Sequence, residues 1–304
     1  MAKTIKDPML NLCINYKQRC SSLGKIILPD GGLTEAQQKK YDGFTIKEKL
    51  TELQQADFNE LKAKLVAKPE LTTGAKTYLN EVYDELELGF RRNITSKYME
   101  NGTDTEPDGL QLLSETLAPN IISIPDEEFY ENEWLKGTPD KVDIGGALAD
   151  IWDNKSAYYK ETLSKAEFTP VYKWQGRGYM FLLQSKGIQA KKFGLFYSLN
   201  DHSDRQIKRE CDAEFYQNPN KYLTMEDPKF KEFCERHEKK VKYSEYLDNY
   251  KRFRVWFDVW DDSFKTKIID SVKAAREYLV QVHNERLDEY NKNGLLMLEA
   301  CETN

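Results

Sequence analysis

A short series of apolar strands, interrupted by one helical stretch, constrains the fold more than any other feature of the sequence. Residues 134–144 and 147–155 predict the two strands of a hairpin, whose turn contains two consecutive glycines. A helical pattern follows at 169–187, and a further apolar strand at 191–201. With a strand-like stretch before them, the order is β-β-β-α-β with flanking helices, which indicates an α/β or α+β core.

Charged helical patterns on both sides of this core predict helical extensions. Near the amino terminus, leucines occur at helix-compatible spacing among many Lys and Glu residues. The pattern of residues 229–260 predicts a long helix that is rich in aromatic side chains. We therefore expect three segments, namely an N-terminal helical extension at 1–69, a core at 70–205 and a C-terminal helical region at 206–304.

Composition limits the class of protein. Apolar residues make up 39% of the 304 positions and charged residues 32%, as expected for a globular chain with a heavily solvated surface. The net charge of -6 excludes a globally basic nucleic-acid binder, although 45 Lys and Arg residues still allow a local basic face. The sequence lacks an apolar run near the ~20 residues that span a bilayer, so we expect a cytoplasmic protein.

The cysteines and histidines do not predict a metal site or a nucleophilic triad. Five cysteines are scattered along the chain without a C-x-x-C pair, which favours free thiols over a disulfide framework or a zinc site. The three histidines are isolated from one another, and the chain has no G-x-x-x-x-G-K-[ST] motif for an ATP motor.

Two acidic residues and a lysine lie at the predicted hairpin. Asp140 ends the stretch Gly-Thr-Pro-Asp, and Asp153 is separated by one residue from Lys155 at the end of the apolar strand. Side chains two apart on a strand share a face, so Asp153 and Lys155 point the same way, and the hairpin brings Asp140 beside them. Carboxylate oxygens of this kind bind Mg²⁺, which suits phosphodiester hydrolysis.

On these residues alone, two interpretations stay open, since Asp140 and Asp153 are either a site or ordinary turn residues. Other [DE]-x-K triplets, such as Asp227–Lys229, occur at positions that we interpret as solvated surface. Only Asp153 ends an apolar strand directly after a second strand that carries Pro-Asp. The following helical stretch also places Gln175 and Tyr179 on one face, four residues apart.

Together these motifs resemble the branch of the PD-(D/E)XK superfamily that includes phage lambda-type exonucleases and RecB-like nucleases. The three hallmarks of that branch occur in order: G-x-P-D ending at Asp140, D-x-K at Asp153–Lys155, and Q-x-x-x-Y from Gln175 to Tyr179. The resemblance covers about residues 70–205. It implies a restriction-endonuclease-like core, a central mixed sheet flanked by helices.

The resemblance also implies roles for individual residues. Mg²⁺ or Mn²⁺ would be held by Asp140, Asp153 and the carbonyl of Asn154, with Lys155 in the water-activating role. Gln175 and Tyr179 would contact DNA near the site, and Thr138 and Arg177 complete the list of predicted DNA contacts. Arg177 stands between two glycines, and we favour tight packing of that helix on the sheet over close approach to a phosphate as the reason for them.

A third acidic ligand is expected from an upstream helix. The stretch from Gly102 to Glu106 resembles the G-x-x-x-E version of the lambda-type branch, so Glu106 is the predicted additional metal ligand and catalytic residue. Pro107 should lie in the first helical turn, which would place Glu106 at a helix start, where a carboxylate is also routine. Asp104 and Glu115 are the fallback candidates.

The expected function is that of a Mg²⁺-dependent DNA nuclease, and the resemblance implies an exonuclease in phage-type recombination, repair or genome processing. It also implies DNA, a single-strand-binding or annealing protein, and further copies of the same chain as partners. One alternative is a catalytically inactive module that keeps the nuclease fold for DNA binding or protein interaction. A nucleotidyltransferase would need a phosphate-cradling loop, which the sequence lacks.

The carboxyl-terminal region carries two interpretations. Basic residues between 239 and 254 alternate with tyrosines and tryptophans, which could bind a nucleic-acid strand by stacking and charge. Acidic neighbours dilute this patch, and an amphipathic helix whose aromatic side chains belong to the core is the favoured interpretation.

Overall fold

The computed structural model describes residues 7–31, 33, 35–47, 49–91, 96–123 and 128–302. The chain forms two compact units. One contains Met1–Tyr16, Lys25–Gly89 and Thr266–Asn304, and the other contains Lys17–Gly24 and Phe90–Lys265. These units differ from the three segments expected at 1–69, 70–205 and 206–304, because the carboxyl-terminal helix groups with the amino-terminal helices.

The described residues form ten α-helices and seven strands. The helices are α1 (Pro8–Ile14), α2 (Glu35–Thr45), α3 (Glu52–Val66), α4 (Thr73–Leu88), α5 (Lys97–Thr116), α6 (Lys160–Ser164), α7 (Pro170–Ser185), α8 (Asp204–Gln217), α9 (Pro228–Val241) and α10 (Ser263–Glu302). The strands are β1 (Gln18–Arg19), β2 (Tyr130–Glu131), β3 (Leu135–Gly137), β4 (Lys141–Val142), β5 (Ile151–Ala157), β6 (Lys192–Leu199) and β7 (Phe253–Val259). In the part of the chain that the structure describes, no helix combines the length and the apolar character needed to cross a membrane.

A buried histidine joins three helices of the first unit. His283 of α10 lies with Nδ1 3.0 Å from the Tyr83 hydroxyl of α4 and with Nε2 2.8 Å from Asp7 Oδ2. The other oxygen of Asp7 caps the start of α1. The α4 helix begins after Thr72, whose hydroxyl accepts the N–H of Ala75 and thereby caps the helix.

The main sheet lies in the second unit and has the order β4-β5-β6-β7. The central pair β5 and β6 is parallel, with Asp153 opposite Leu195, whereas both outer strands pair in antiparallel fashion. A smaller sheet has the order β1-β3-β2. A mixed sheet flanked by helices is the predicted fold class, which is confirmed.

The main sheet is covered by a different helix on each face. On one face, Leu112 and Leu113 of α5 pack with Trp152 of β5 and Phe196 of β6 in a buried apolar cluster. On the other face lies α7, whose predicted helical stretch is confirmed. Because strand side chains alternate, the odd-numbered residues of β5 face α7, and Asp153 is among them.

The predicted hairpin is confirmed in its pairing and wrong in its extent. Lys141 and Val142 of β4 pair with Trp152 and Ile151 of β5. The first predicted strand, 134–144, is divided, because β3 belongs to the smaller sheet and Pro139 has no N–H to continue a ladder.

The predicted continuous helical stretch over 229–260 is wrong in its second half. Helix α9 ends at Val241, two short 3-10 helices follow, and residues 253–259 form strand β7. Branched and aromatic side chains in Phe-Arg-Val-Trp-Phe-Asp-Val suit a pleated strand, and β6 supplies a partner along its whole length. The core sheet therefore includes a strand from the region expected to be a helical extension.

A glycine allows α5 to approach the sheet. An added Cβ at Gly109 would stand 2.4 Å from Asn154 Nδ2 and 2.8 Å from Ser198 Oγ. Any larger residue would therefore have to displace α5 from β5 and β6. By contrast, an added Cβ at Gly102 of the same helix would meet nothing within 4 Å.

We expect Gly109→Ala to lower the free energy of unfolding by about 1–3 kcal/mol, because the added methyl group overpacks a closed interface. Gly102→Ala is the matched control. It should raise the free energy of unfolding by about 0.5–1 kcal/mol, since alanine loses less conformational freedom in a helix. Urea unfolding of both variants tests this, and equal effects would contradict the packing account.

Candidate active site

The carboxylate of Asp140 lies at the start of the short strand β4, beside β5. Its Oδ2 accepts the backbone N–H of Asn154 at 2.7 Å. Lys141 pairs with Trp152, so the same register places Asp140 alongside Asp153. The predicted convergence of the two carboxylates is thus a consequence of the β4–β5 pairing.

Asp153 is fully buried, and a carboxylate without contact to water needs compensating partners. Its Oδ2 lies 2.6 Å from the Lys155 ammonium, two residues further along the same face of β5. That oxygen forms an ion pair without a hydrogen bond of ordinary geometry, so it retains capacity to bind a cation. Its Oδ1 accepts the side-chain N–H of Gln175 at 2.8 Å.

Helix α7 supplies the partner of Asp153 from the side of the sheet opposite α5. The Gln175 amide donates both to Asp153 and to the Tyr179 hydroxyl at 3.2 Å. Gln175 is 5% exposed and Tyr179 is 4% exposed, so in this arrangement both side chains act inside the protein. Their predicted contact with DNA stays a prediction.

Two glycines allow α7 to pack close enough to the sheet for Gln175 to reach Asp153. A Cβ at Gly176 would stand 2.3 Å from the ring of Phe193, and a Cβ at Gly178 would stand 3.0 Å from Cys20 Sγ. The favoured interpretation of these glycines, tight packing of the helix, agrees with these distances. The proximity of α7 to β5 in turn lets a side chain as short as glutamine reach Asp153.

Burial and like charge change the protonation of the site. Asp140 keeps part of its surface accessible but is largely enclosed by protein, and this burial, with Asp153 nearby, raises its pKa to about 8. Burial acts to lower the pKa of Lys155, but the carboxylates of Asp153 and Asp140 outweigh it and raise that pKa above its ordinary value. Without a metal, Lys155 is therefore charged and Asp140 is largely protonated at neutral pH.

Glu106 lies near Asp140, but its position within the helix differs from the expected one at the helix start. Helix α5 begins at Lys97 behind the N-cap Ser96, so the expectation that Pro107 stands in the first turn is wrong. Glu106 is in the helix interior, half-buried, and its charge contributes to raising the pKa of Asp140. Glu106 and Asp140 line one open pocket of about 620 Å³.

The fallback acidic residues are engaged elsewhere. Asp104 accepts hydrogen bonds from the Arg205 guanidinium and one from Ser203. Glu115 accepts side-chain N–H groups of Gln111 and Asn249. Of the three upstream candidates, the structure brings only Glu106 to the pocket that Asp140 lines.

The predicted DNA contacts other than Gln175 and Tyr179 are dispersed. Thr138 lies between β3 and β4 and is half-buried. The Arg177 guanidinium binds Asp258 of β7 at 2.7 Å and stacks over the rings of Trp174 and Phe264. These contacts do not bring Arg177 to the carboxylates.

Sequence reasoning missed a buried polar layer behind the site. The Asn200 amide donates to the Thr105 carbonyl, to Ser156 Oγ and to Ser198 Oγ, and Ser198 donates to Asn154 Oδ1. This network joins α5 to the even-numbered face of β5 and to β6. Polar residues at alternate positions of two otherwise apolar strands were the available signal.

The donor set fits a hard divalent cation. Asp140 and Asp153 offer carboxylate oxygens, one of them the buried Asp153 Oδ2, and the Asn154 carbonyl and Glu106 are further oxygen donors. Among the described residues, no three or more His, Cys, Asp and Glu side chains are grouped closely enough to form a complete metal site. An ion such as Mg²⁺, which keeps several waters, needs few protein ligands.

Comparison with known proteins supports the fold. No family model and no curated protein matches the sequence. A phage-related exonuclease from Haemophilus somnus 129PT has a similar structure, with a TM-score of 0.58 and 20% identity over 91% of this chain and 99% of that chain. An alkaline exonuclease from Laribacter hongkongensis gives a TM-score of 0.46 and 12% identity over 96% and 98% of the two chains. Its complex with dAMP gives 0.47 and 13% over 96% and 100%.

The first of these structures, with a TM-score of 0.58, shows that the two chains share a fold. The resemblance to the PD-(D/E)XK nucleases, stated from three short motifs, is confirmed at that level by the first of these structures. The roles of individual residues stay predictions.

The raised pKa of Asp140 predicts a pH dependence of stability. Because the folded protein holds this proton up to a pKa of about 8 and the unfolded chain releases it near 4, stability should fall as pH rises through that window. Asp140→Asn keeps an oxygen for the Asn154 N–H and cannot ionise. Chemical unfolding in EDTA between pH 5 and 9 should therefore show a smaller decline for the variant, and parallel curves would refute the assignment.

Gln175 should affect metal affinity through Asp153. Gln175→Leu removes the hydrogen bond that orients this carboxylate, and loss of such a supporting contact typically weakens metal binding by about 10–100-fold. Calorimetric titration with Mn²⁺ measures it. Gln184→Leu is the matched control, because Gln184 also donates one hydrogen bond from α7, but to the Ala190 carbonyl. Equal affinities for the two variants would contradict the positioning role.

Proposed function

We propose that this chain is a metal-dependent nuclease that hydrolyses phosphodiester bonds in DNA. The observation that carries the proposal is the convergence of Asp140, Asp153 and Lys155 at one end of a β4–β5 pair, with Asp153 buried and held on both oxygens. Their order and setting match the motifs of a nuclease superfamily whose fold the chain shares. Mg²⁺ or Mn²⁺ is the proposed cofactor.

Each residue of the site has a proposed role in the reaction. Asp140, Asp153 and the Asn154 carbonyl would hold the ion, and Glu106 of α5, which lines the same pocket as Asp140, would be a further ligand. The bound ion would polarise the scissile phosphate and make a water more acidic. Lys155 stays protonated beside Asp153, and its ammonium orients the attacking water and offsets the negative charge that develops on the phosphate.

The protonation of Asp140 couples metal loading to pH. This carboxyl must lose its proton before it can bind a cation, and its pKa of about 8 opposes that loss at neutral pH. Asp140 would therefore release its proton when the site is loaded. Gln175 keeps Asp153 in place whichever form Asp140 takes.

The finer proposal is an exonuclease that acts in phage-type recombination, repair or genome processing with a single-strand-binding or annealing partner. Its support is the sequence resemblance to the lambda-type branch together with the shared fold. The competing hypothesis is an inactive module that keeps the fold for binding DNA or protein.

The purified chain should degrade linear DNA in Mg²⁺ and leave closed circular DNA intact, and EDTA should abolish the activity. Asp153→Asn should lower the rate by more than about 100-fold, because even indirect supporting contacts of metal sites contribute up to that factor. Asp227→Asn is the matched control, since Asp227 begins another Asp-x-Lys triplet and caps α9.

Three other results are informative. Cleavage of circles would keep the nuclease and replace the exonuclease. Equal loss of activity in both variants would refute the assignment of the site. DNA binding without hydrolysis in any metal would favour the inactive module.

A further inference from the structure

Helices α8 and α9 of the second unit run antiparallel to each other. The rings of Phe215 in α8 and Phe230 in α9 have their centroids 5.2 Å apart. Further along the pair, Glu210 Oε2 of α8 lies 2.7 Å from His237 Nε2 of α9. Because the residue number falls in α8 while it rises in α9, these two contacts fix which residues of the two helices face each other.

This register places two cysteines opposite each other. Cys211 lies one turn before Phe215 on α8. Cys234 lies one turn after Phe230 on α9. Residues four apart share a helix face, so each cysteine faces the same way as its phenylalanine. Cys211 belongs to the buried apolar cluster of this helix pair, and Cys234 packs against the same cluster. The two cysteines therefore lie on the facing sides of α8 and α9.

The two thiols are reduced and hydrogen-bonded to each other. Burial raises the pKa of the Cys211 thiol, and the hydrogen bond with the Cys234 thiol raises it further. A disulfide forms between two cysteines without movement of the backbone only when their side chains already point at each other at short range. The facing positions on α8 and α9 and the contact between the thiols meet this condition.

We propose that Cys211 and Cys234 are a site of reversible oxidation, at which a disulfide bond joins α8 to α9. The oxidant is a low-molecular-weight disulfide of the glutathione class, which reacts with protein thiols by exchange. This inference goes beyond the proposed function and is independent of it, since it uses only α8 and α9.

The accessibility of the two thiols sets the order of the steps. Cys234 is half-buried, whereas Cys211 is only 6% exposed and its buried thiol is unreactive on its own. The Cys234 thiolate attacks the small disulfide RSSR, forms a mixed disulfide with one half of it and releases the other half as RS⁻. The Cys211 sulfur then loses its proton, attacks the Cys234 sulfur and releases the second RS⁻. The protein gives up two protons and two electrons, and RSSR becomes two RSH molecules.

The disulfide stabilises the helix pair because it restricts the unfolded chain. It closes a loop of roughly two dozen residues, which contains the end of α8, the connection between the helices and the start of α9. For a loop of this length, the chain-entropy model gives a decrease of the unfolding equilibrium constant on the order of 100-fold. The oxidised protein should therefore unfold at a higher urea concentration than the reduced protein.

Oxidation of the full-length chain tests the bond directly. The reduced protein is incubated with mixtures of reduced and oxidised glutathione in EDTA, so that a metal ion held by the thiols cannot protect them from alkylation. The remaining free thiols are then alkylated, and the protein is digested without reductant for mass spectrometry. We expect a pair of peptides linked through Cys211 and Cys234, which a dithiol reductant separates.

Two serine variants connect the bond to the change in stability. Cys234→Ser removes the bond, and Cys301→Ser is the matched control, since it removes a cysteine outside the pair. Oxidised glutathione should raise the urea midpoint of the parent and of Cys301→Ser, and leave that of Cys234→Ser unchanged. Circular dichroism of the reduced variants establishes that both are folded. The linked peptides of the parent require no variant, so the test remains valid if Cys234→Ser does not fold.

Absence of the linked peptides at every glutathione ratio would overturn the proposal, as would a mixed disulfide at Cys234 that never closes on Cys211. An equal rise in the urea midpoint of the parent and of Cys234→Ser would also overturn it, because a different oxidation would then be the cause. DNA hydrolysis is assayed separately on the same preparations. An active enzyme without the disulfide would thus refute this inference alone, and an inactive protein that forms it would refute the nuclease alone.

Discussion

The ion pair between Asp153 and Lys155 sets the conditions that the rest of the core has to meet. A carboxylate without solvent contact is strongly destabilising unless charge and hydrogen bonds compensate it. Lys155 supplies the charge from the same strand face, and Gln175 supplies the hydrogen bond from a helix on that side. Both requirements fix geometry, since one demands a regular strand and the other a helix held close to the sheet.

Small residues provide that closeness at a cost in helix propensity. Gly176 and Gly178 each cost up to about 1 kcal/mol relative to alanine in a helix interior, and Gly109 costs the same in α5. In return, α5 and α7 lie against opposite faces of the sheet at distances that a single methyl group would violate. The site is thus held between two closely packed layers.

The features that could be predicted correctly from the sequence are those that depend on residues close together in the chain. The alternation of strand side chains and the β4–β5 hairpin are local, so the amino-acid pattern by itself was enough to place Asp140, Asp153 and Lys155 together. The hydrogen bond from Gln175 to Asp153 could not be predicted, because it depends on the distance between α7 and β5, which is set by the packing of the helix on the sheet. The residues of β7 are predicted as helix because they directly follow a charged helical sequence. They form a strand because β6 offers an edge to pair with, and that edge exists only in the folded protein. The predicted start of α5 is wrong because proline usually stands in the first turn of a helix, whereas Pro107 stands in the interior of α5.

That interior proline has a consequence for the pocket. In an α-helix the N–H of residue 107 would bond to the carbonyl of Thr103, but Pro107 has no N–H to offer. Thr103 and Pro107 both line the pocket that Glu106 and Asp140 share. Helix α5 therefore leaves the Thr103 carbonyl without its usual helical donor at a residue that lines the pocket of Asp140, so the proline interrupts the helical ladder beside the site without ending the helix.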